Sequence, residues 1–86
     1  MKIVLNRAYG AFHLPRPYAV LKNISVFDDS FEIRTDPELI EYITNHPWLE
    51  FKVVEFPDEA TDFDVDKDDN YNEKLIYVIN GKIHYA

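Results

Sequence analysis

Arg34-Thr35-Asp36-Pro37-Glu38-Leu39-Ile40-Glu41-Tyr42-Ile43-Thr44-Asn45-His46-Pro47 carries the start, the body and the stop of one short helix. The Asp36 carboxylate can accept from the free amides two and three residues on. Pro37 follows at the first helical position, where its missing donor costs nothing. Glu38 sets negative charge at the positive end of the helix dipole. Pro47 ends the run, because the residue before a proline is pushed out of the helical region. The predicted helix therefore spans about 36–46. Leu39, Ile40 and Ile43 fall on one stripe with Tyr42 at its edge, and Glu38, Glu41 and Asn45 face water. A helix this short does not hold alone, so a sheet must cover its apolar stripe.

The segments on either side supply that sheet. Before the helix, Lys2-Ile3-Val4-Leu5 reads as a buried strand. Asn6–Tyr18 is rich in turn residues and aromatics, Ala19–Asn23 could add one helical turn, and residues 24–33 read as an ordered loop. After Pro47, Leu49–Phe56 forms a strand, Asp58-Glu59-Ala60 is a connection, and Phe63 and Val65 alternate with Asp62, Asp64 and Asp66 as in a strand with one wet face. Leu75–Ile79 is apolar on both faces and suits an inner strand. Asn80-Gly81 is a strong two-residue hairpin signal, since a type I′ turn needs positive φ at both positions. Lys82–Tyr85 then returns, with Ile83 and Tyr85 expected inward. The order predicts a single α+β domain over residues 1–86, one principal helix packed on a four- or five-stranded twisted sheet that ends in a C-terminal β-hairpin. If the first two strands were neighbours and parallel, their crossover would be right-handed.

The chain has 86 residues, no cysteine and a net charge of −7. No disulfide framework or thiolate metal site is available, and the composition suits a cytoplasmic protein. Neither a signal peptide nor a membrane span is expected. Charge is uneven: residues 1–35 carry five Lys/Arg against three acids, and residues 36–86 carry thirteen acids against four lysines. An acidic half repels phosphate, so direct nucleic-acid binding is not expected. It attracts a basic partner surface, or it serves only solubility.

Three segments bear a likeness: Asn6-Arg7-Ala8-Tyr9-Gly10-Ala11-Phe12-His13-Leu14, Arg34-Thr35-Asp36-Pro37-Glu38-Leu39-Ile40, and Leu49–Pro57 around Lys52-Val53-Val54-Glu55-Phe56-Pro57-Asp58. With these the chain resembles a family of small proteins found mostly in bacteriophages and some large DNA viruses. That family usually shows cysteine where Ala8 stands, a second glycine at Ala11, and serine opening a helix where Pro15 stands. This chain departs at all three positions, and most of that helix is expected to be missing. The likeness implies a viral accessory protein acting in the host cytoplasm, and it yields no catalytic residue.

Chemistry-bearing patterns point away from an enzyme. Asp62, Asp64, Asp66, Asn70 and Glu73 match oxygen-ligand positions of a calcium loop, but Lys67 replaces the turn glycine and Asp69 the apolar residue that should follow. A calcium module is thus a minor alternative to a solvated acidic strand and turn, and no cofactor or metal is expected. His13, His46 and His84 are far apart and lack zinc-site spacing, and His46 fits a helix C-terminus. Ser25 and Ser30 sit in an acidic loop without a nucleophile elbow.

Surfaces remain. The candidate binding residues are the acids Asp58, Glu59, Asp62, Asp64, Asp66, Asp68, Asp69 and Glu73, and the aromatic and basic group Tyr9, Phe12, Arg16 and Tyr18, with His13 and Arg34 near it. Tyr and Arg are residues that interfaces favour, although a small domain also uses its aromatics as core. The expected function is binding and occlusion, in its sharpest form a phosphate mimic that inhibits a host nucleic-acid-directed defence protein. The alternative is an assembly protein that self-associates, as a homodimer for example, through the edge strand Ile83–Tyr85 or Lys2–Leu5.

Overall fold

The computed structural model describes residues 1–69 and 72–86. In chain order they form β1 (Lys2–Asn6), α1 (Arg16–Lys22), α2 (Phe31–Arg34), α3 (Pro37–Asn45), β2 (Phe51–Glu55), β3 (Thr61–Lys67), β4 (Glu73–Ile79) and β5 (Lys82–Tyr85). Helix α3 begins as its sequence dictates. Asp36 accepts from the Glu38 amide at 3.1 Å, Pro37 occupies the first turn, and His46 caps the C-terminus. Leu39 and Ile43 are buried while Glu38, Glu41 and Asn45 face solvent.

The five strands divide between two antiparallel sheets, β1-β2 and β3-β4-β5, where the sequence suggested one. Because β1 pairs antiparallel with β2, no crossover handedness arises. The division explains why Ile3, Val4 and Leu5 are all fully buried. Val4 faces the helices with Phe12, Leu14, Tyr18, Ala19, Leu39 and Ile43. Ile3 and Leu5 face the opposite way and pack with Phe56, Ala60, Leu75 and Tyr77. The β1-β2 ribbon is therefore a middle layer with helices on one side and the three-stranded sheet on the other. A two-stranded ribbon is not stable on its own, and burial on both faces holds it.

Two helical segments exceed what local propensity suggested. Residues 16–22 form two turns, with Pro17 tolerated in the first and Asn23 closing the helix in the left-handed region at φ 55°. The helix expected to be mostly missing after Pro15 is thus present, held by its buried face of Tyr18 and Ala19. The loop 24–33 is ordered as expected up to Ser30, whose hydroxyl then caps α2 by accepting from the Ile33 amide.

Asn80 and Gly81 both take positive φ, 51° and 77°, and join β4 to β5 as a tight hairpin. Their register corrects one expectation. Ile79 pairs with Lys82 and Tyr77 with His84, so the inward phase of β4 passes to Lys82 and His84. His84 stacks on Tyr77 with ring centroids 5.5 Å apart. Ile83 and Tyr85 lie on the outer face and are 64% and 68% exposed. A Cβ at Gly81 would meet nothing within 4 Å, so only backbone strain opposes a side chain there. Gly81→Val should cost about 1–2 kcal/mol or more, the left-handed penalty sharpened by β-branching. A chemical-denaturation midpoint equal to the parent's would contradict this turn.

Candidate protein-binding surface

Strand β3 owes its chemistry to its alternation. Phe63 and Val65 turn toward the β1-β2 ribbon and pack on the second core cluster, while Asp64 and Asp66 emerge on the outer face. Phe63 is held by Phe31 of α2, stacked at 4.6 Å, and by Phe56 at 5.1 Å. These rings fix the strand's rotation, and the carboxylates follow from it. Between Thr61 and Asp64 the register slips, and Asp62 sits in the bulge at φ 52°. A short polar side chain tolerates that conformation.

Asp58, Glu59, Asp62, Asp64, Asp66, Asp68 and Asp69 are all exposed. Several also serve the backbone. Asp64 accepts from the Val65 amide at 2.8 Å, Asp66 from the Lys67 amide at 2.9 Å, and Asp68 from the Asn72 amide at 3.0 Å. Asp58 pairs with the Met1 ammonium at 2.9 Å. Among the described residues, Asp62, Asp64, Asp66 and Asp69 make no ion pair. A cleft of about 280 Å³ opens beside the strand, with Asp29, Phe31, Phe63 and Asp64 in its lining.

Glu73 does not belong to this surface. It shares the inward phase of Leu75 and Tyr77 and is 1% exposed. Arg34, expected near a surface cluster, is 3% exposed and grips it with two parallel bonds, Nη1 to Oε1 at 2.8 Å and Nη2 to Oε2 at 3.0 Å. Arg34 also donates to the Val4 carbonyl at 3.1 Å and the Asp29 carbonyl at 2.8 Å, and it lies 4.0 Å over the Phe12 ring. Glu73 accepts in addition from the Asn6 amide at 2.7 Å. One charge pair thereby ties α2, β1 and β4 together, across the boundary between the two sheets.

The aromatic and basic group divides as well. Phe12 and Tyr18 are buried in the helix-side core, while Tyr9, Arg16 and the neighbouring His13 remain at the surface. Tyr18 donates its hydroxyl to Asp36, whose other oxygen caps α3, and Lys22 pairs with Glu38 at 2.9 Å. Burial, followed by the Asp36 hydrogen bond, pushes the Tyr18 hydroxyl's pKa up. Burial alone would raise the Asp36 carboxyl, but the bonds from Tyr18, the Glu38 amide and Lys22 outweigh it and hold the group below its ordinary value. A carboxyl depressed on folding stabilises the protein above its unfolded pKa near 3.9, and that stability is lost as pH falls through the lower, folded value. The melting temperature of Asp36→Asn should therefore fall below the parent's at neutral pH, with the gap narrowing below about pH 4. A constant gap would contradict this linkage.

Of the proposed calcium ligands, Asn70 lies outside the described residues, and Glu73 is committed to Arg34. Among the described residues no three His, Asp or Glu side chains converge as a metal site. Among them, too, no helix is long and apolar enough to cross a membrane. The chain matches no family model, and neither a curated protein nor a solved structure matches it.

Proposed function

We propose that this chain is a non-enzymatic accessory protein that binds a basic surface on a partner protein and occludes it, its carboxylates lying where phosphates would otherwise sit. The observation that carries this reading is the set of exposed carboxylates between residues 58 and 69, of which Asp64 and Asp66 are turned outward by the inward Phe63 and Val65. In its sharper form the partner is a host nucleic-acid-directed defence protein and the site of action is the host cytoplasm. The resemblance of three segments to small viral proteins supports that form. The partner's groove, and not this chain, contacts nucleic acid, because the acids that fit the groove repel phosphate.

Single exposed ion pairs contribute only about 0.2–1 kcal/mol. Affinity must then come from several carboxylates acting together, with long-range steering raising the association rate. The reading is tested by recovering the partner on the tagged chain from cells that express both. The recovered protein should bind DNA or RNA alone, and the chain should displace that nucleic acid with a potency that falls as salt rises. A partner with no nucleic-acid affinity would exclude the mimic.

A further inference from the structure

Strand β5 forms one edge of the three-stranded sheet, and the hairpin fixes where its backbone groups point. Leu75 and Ala86 exchange both amide bonds, at 3.1 Å and 2.9 Å. Hydrogen-bonded pairs alternate along an antiparallel ladder. Tyr77/His84 and Ile79/Lys82 are therefore also hydrogen-bonded pairs, while Ile76/Tyr85 and Val78/Ile83 are not. The amides and carbonyls of Ile83 and Tyr85 consequently point to the open edge. Among the described residues no backbone group meets them. Their exposed side chains stand beside Ile76 and Val78 on the outer face.

We infer that β5 pairs antiparallel with β5 of a second copy about a two-fold axis at His84, joining two three-stranded sheets into one of six strands. One register within the strand uses both outward residues. Ile83 lies opposite the second copy's Tyr85, and Tyr85 opposite its Ile83, as two hydrogen-bonded pairs carrying four amide bonds. His84 faces its own counterpart as the closer, non-hydrogen-bonded pair. Moving the axis to Ile83 would set Tyr85 against Gly81, which belongs to the turn. The same register brings Ile83 against Tyr85 on the outer face, an apolar–aromatic cross-strand contact repeated on both sides of the axis. The contact is isologous, as a closed dimer requires.

Charge selects this edge over the other. Edge strand β3 carries Asp62, Asp64 and Asp66, and like charges set opposite one another would repel a second β3. Strand β5 contains no acid, and its Lys82 falls opposite Ala86 of the second copy. This inference stands on β5 alone and does not depend on the acidic-surface reading.

The test uses the absence of cysteine from the chain. His84→Cys places one thiol on the proposed axis, where paired Cα atoms about 4.5 Å apart fall within disulfide range. Oxidised glutathione, itself reduced as the two thiols join, should convert His84→Cys almost fully to covalent dimer. Tyr85→Cys should cross-link poorly, since its counterpart lies on a diagonal about 7–8 Å away. Sedimentation equilibrium should show a parent dimer that strengthens with salt, because each copy carries a net charge of −7. Tyr85→Pro, which removes an outward amide without touching the β4 ladder, should give a monomer with the parent's circular dichroism. A parent that stays monomeric at all salt and protein concentrations overturns the inference. So does a dimer that folded Tyr85→Pro leaves intact, or one that Tyr85→Cys traps better than His84→Cys. If Tyr85→Pro does not fold, the two cysteine variants decide.

Discussion

Glu73→Ala should destabilise the protein by roughly 3–5 kcal/mol, because removing one partner of a buried ion pair leaves the other charge without compensation. The stranded group would be the Arg34 guanidinium, together with the Asn6 amide that Glu73 also satisfies. Domains of this size are typically stable by about 5–15 kcal/mol, so the variant should melt at least about 12 °C lower or fail to fold. The pair holds the sheets in register with each other and need not itself be a net source of stability. Replacing both partners, as Arg34→Met with Glu73→Leu, should cost less than the sum of the single changes, since no isolated charge remains. Two carbonyls bonded to Arg34 would still lose their donor, so full recovery is not expected. A Glu73→Ala variant melting within a few degrees of the parent would show that the link between α2, β1 and β4 lies elsewhere.

The second large effect concerns partner binding. Glu59→Lys, Asp62→Asn, Asp64→Lys and Asp66→Asn together should reduce affinity for the captured partner at least a hundredfold while the fold persists. The choice follows the structure. Asn at position 62 keeps the left-handed conformation that Asp62 adopts at φ 52°. Asn at position 66 avoids setting a lysine directly opposite Lys74. Asp68 stays, because it holds the Asn72 amide in the β3–β4 connection. Phe63 and Val65 continue to face the core, so the melting temperature should change little. Single substitutions should each cost only a few-fold, in keeping with the small energy of one exposed ion pair.

Much of the architecture was legible because its chemistry is local. Asp36, Pro37 and Pro47 bound α3 within about one residue, and Asn80-Gly81 set the hairpin. The two-sheet division was not legible. The unbroken apolar run Ile3-Val4-Leu5 announces burial on both faces, but no nearby residue says that the second cover is a sheet that follows much later in the chain. The phase of β5 was misread because β4 is apolar on both faces. The two-residue turn held the missing information, since it pairs Ile79 with Lys82 and passes the inward phase to His84.

Glu73 could have been placed inside by the same period of two from Leu75 and Tyr77. Its charge made it look like one more acid in an acidic run. Nothing local marks Arg34 as its partner, because four residues of α2 are too few to show a helical stripe. On the outer strand the alternation of Phe63 and Val65 with aspartates was enough, and all seven remaining acids lie at the surface.

The central claim is that these outward carboxylates, and not the aromatic residues of the first third, meet the partner. Isothermal titration of the captured partner with the parent and with the four-site acidic variant, at low and at physiological salt, tests it most directly. The parent should bind tightly and weaken as screening shortens to about 8 Å, whereas the variant, with an unchanged melting curve, should show little heat at either salt. Full-affinity binding by that folded variant would contradict the account.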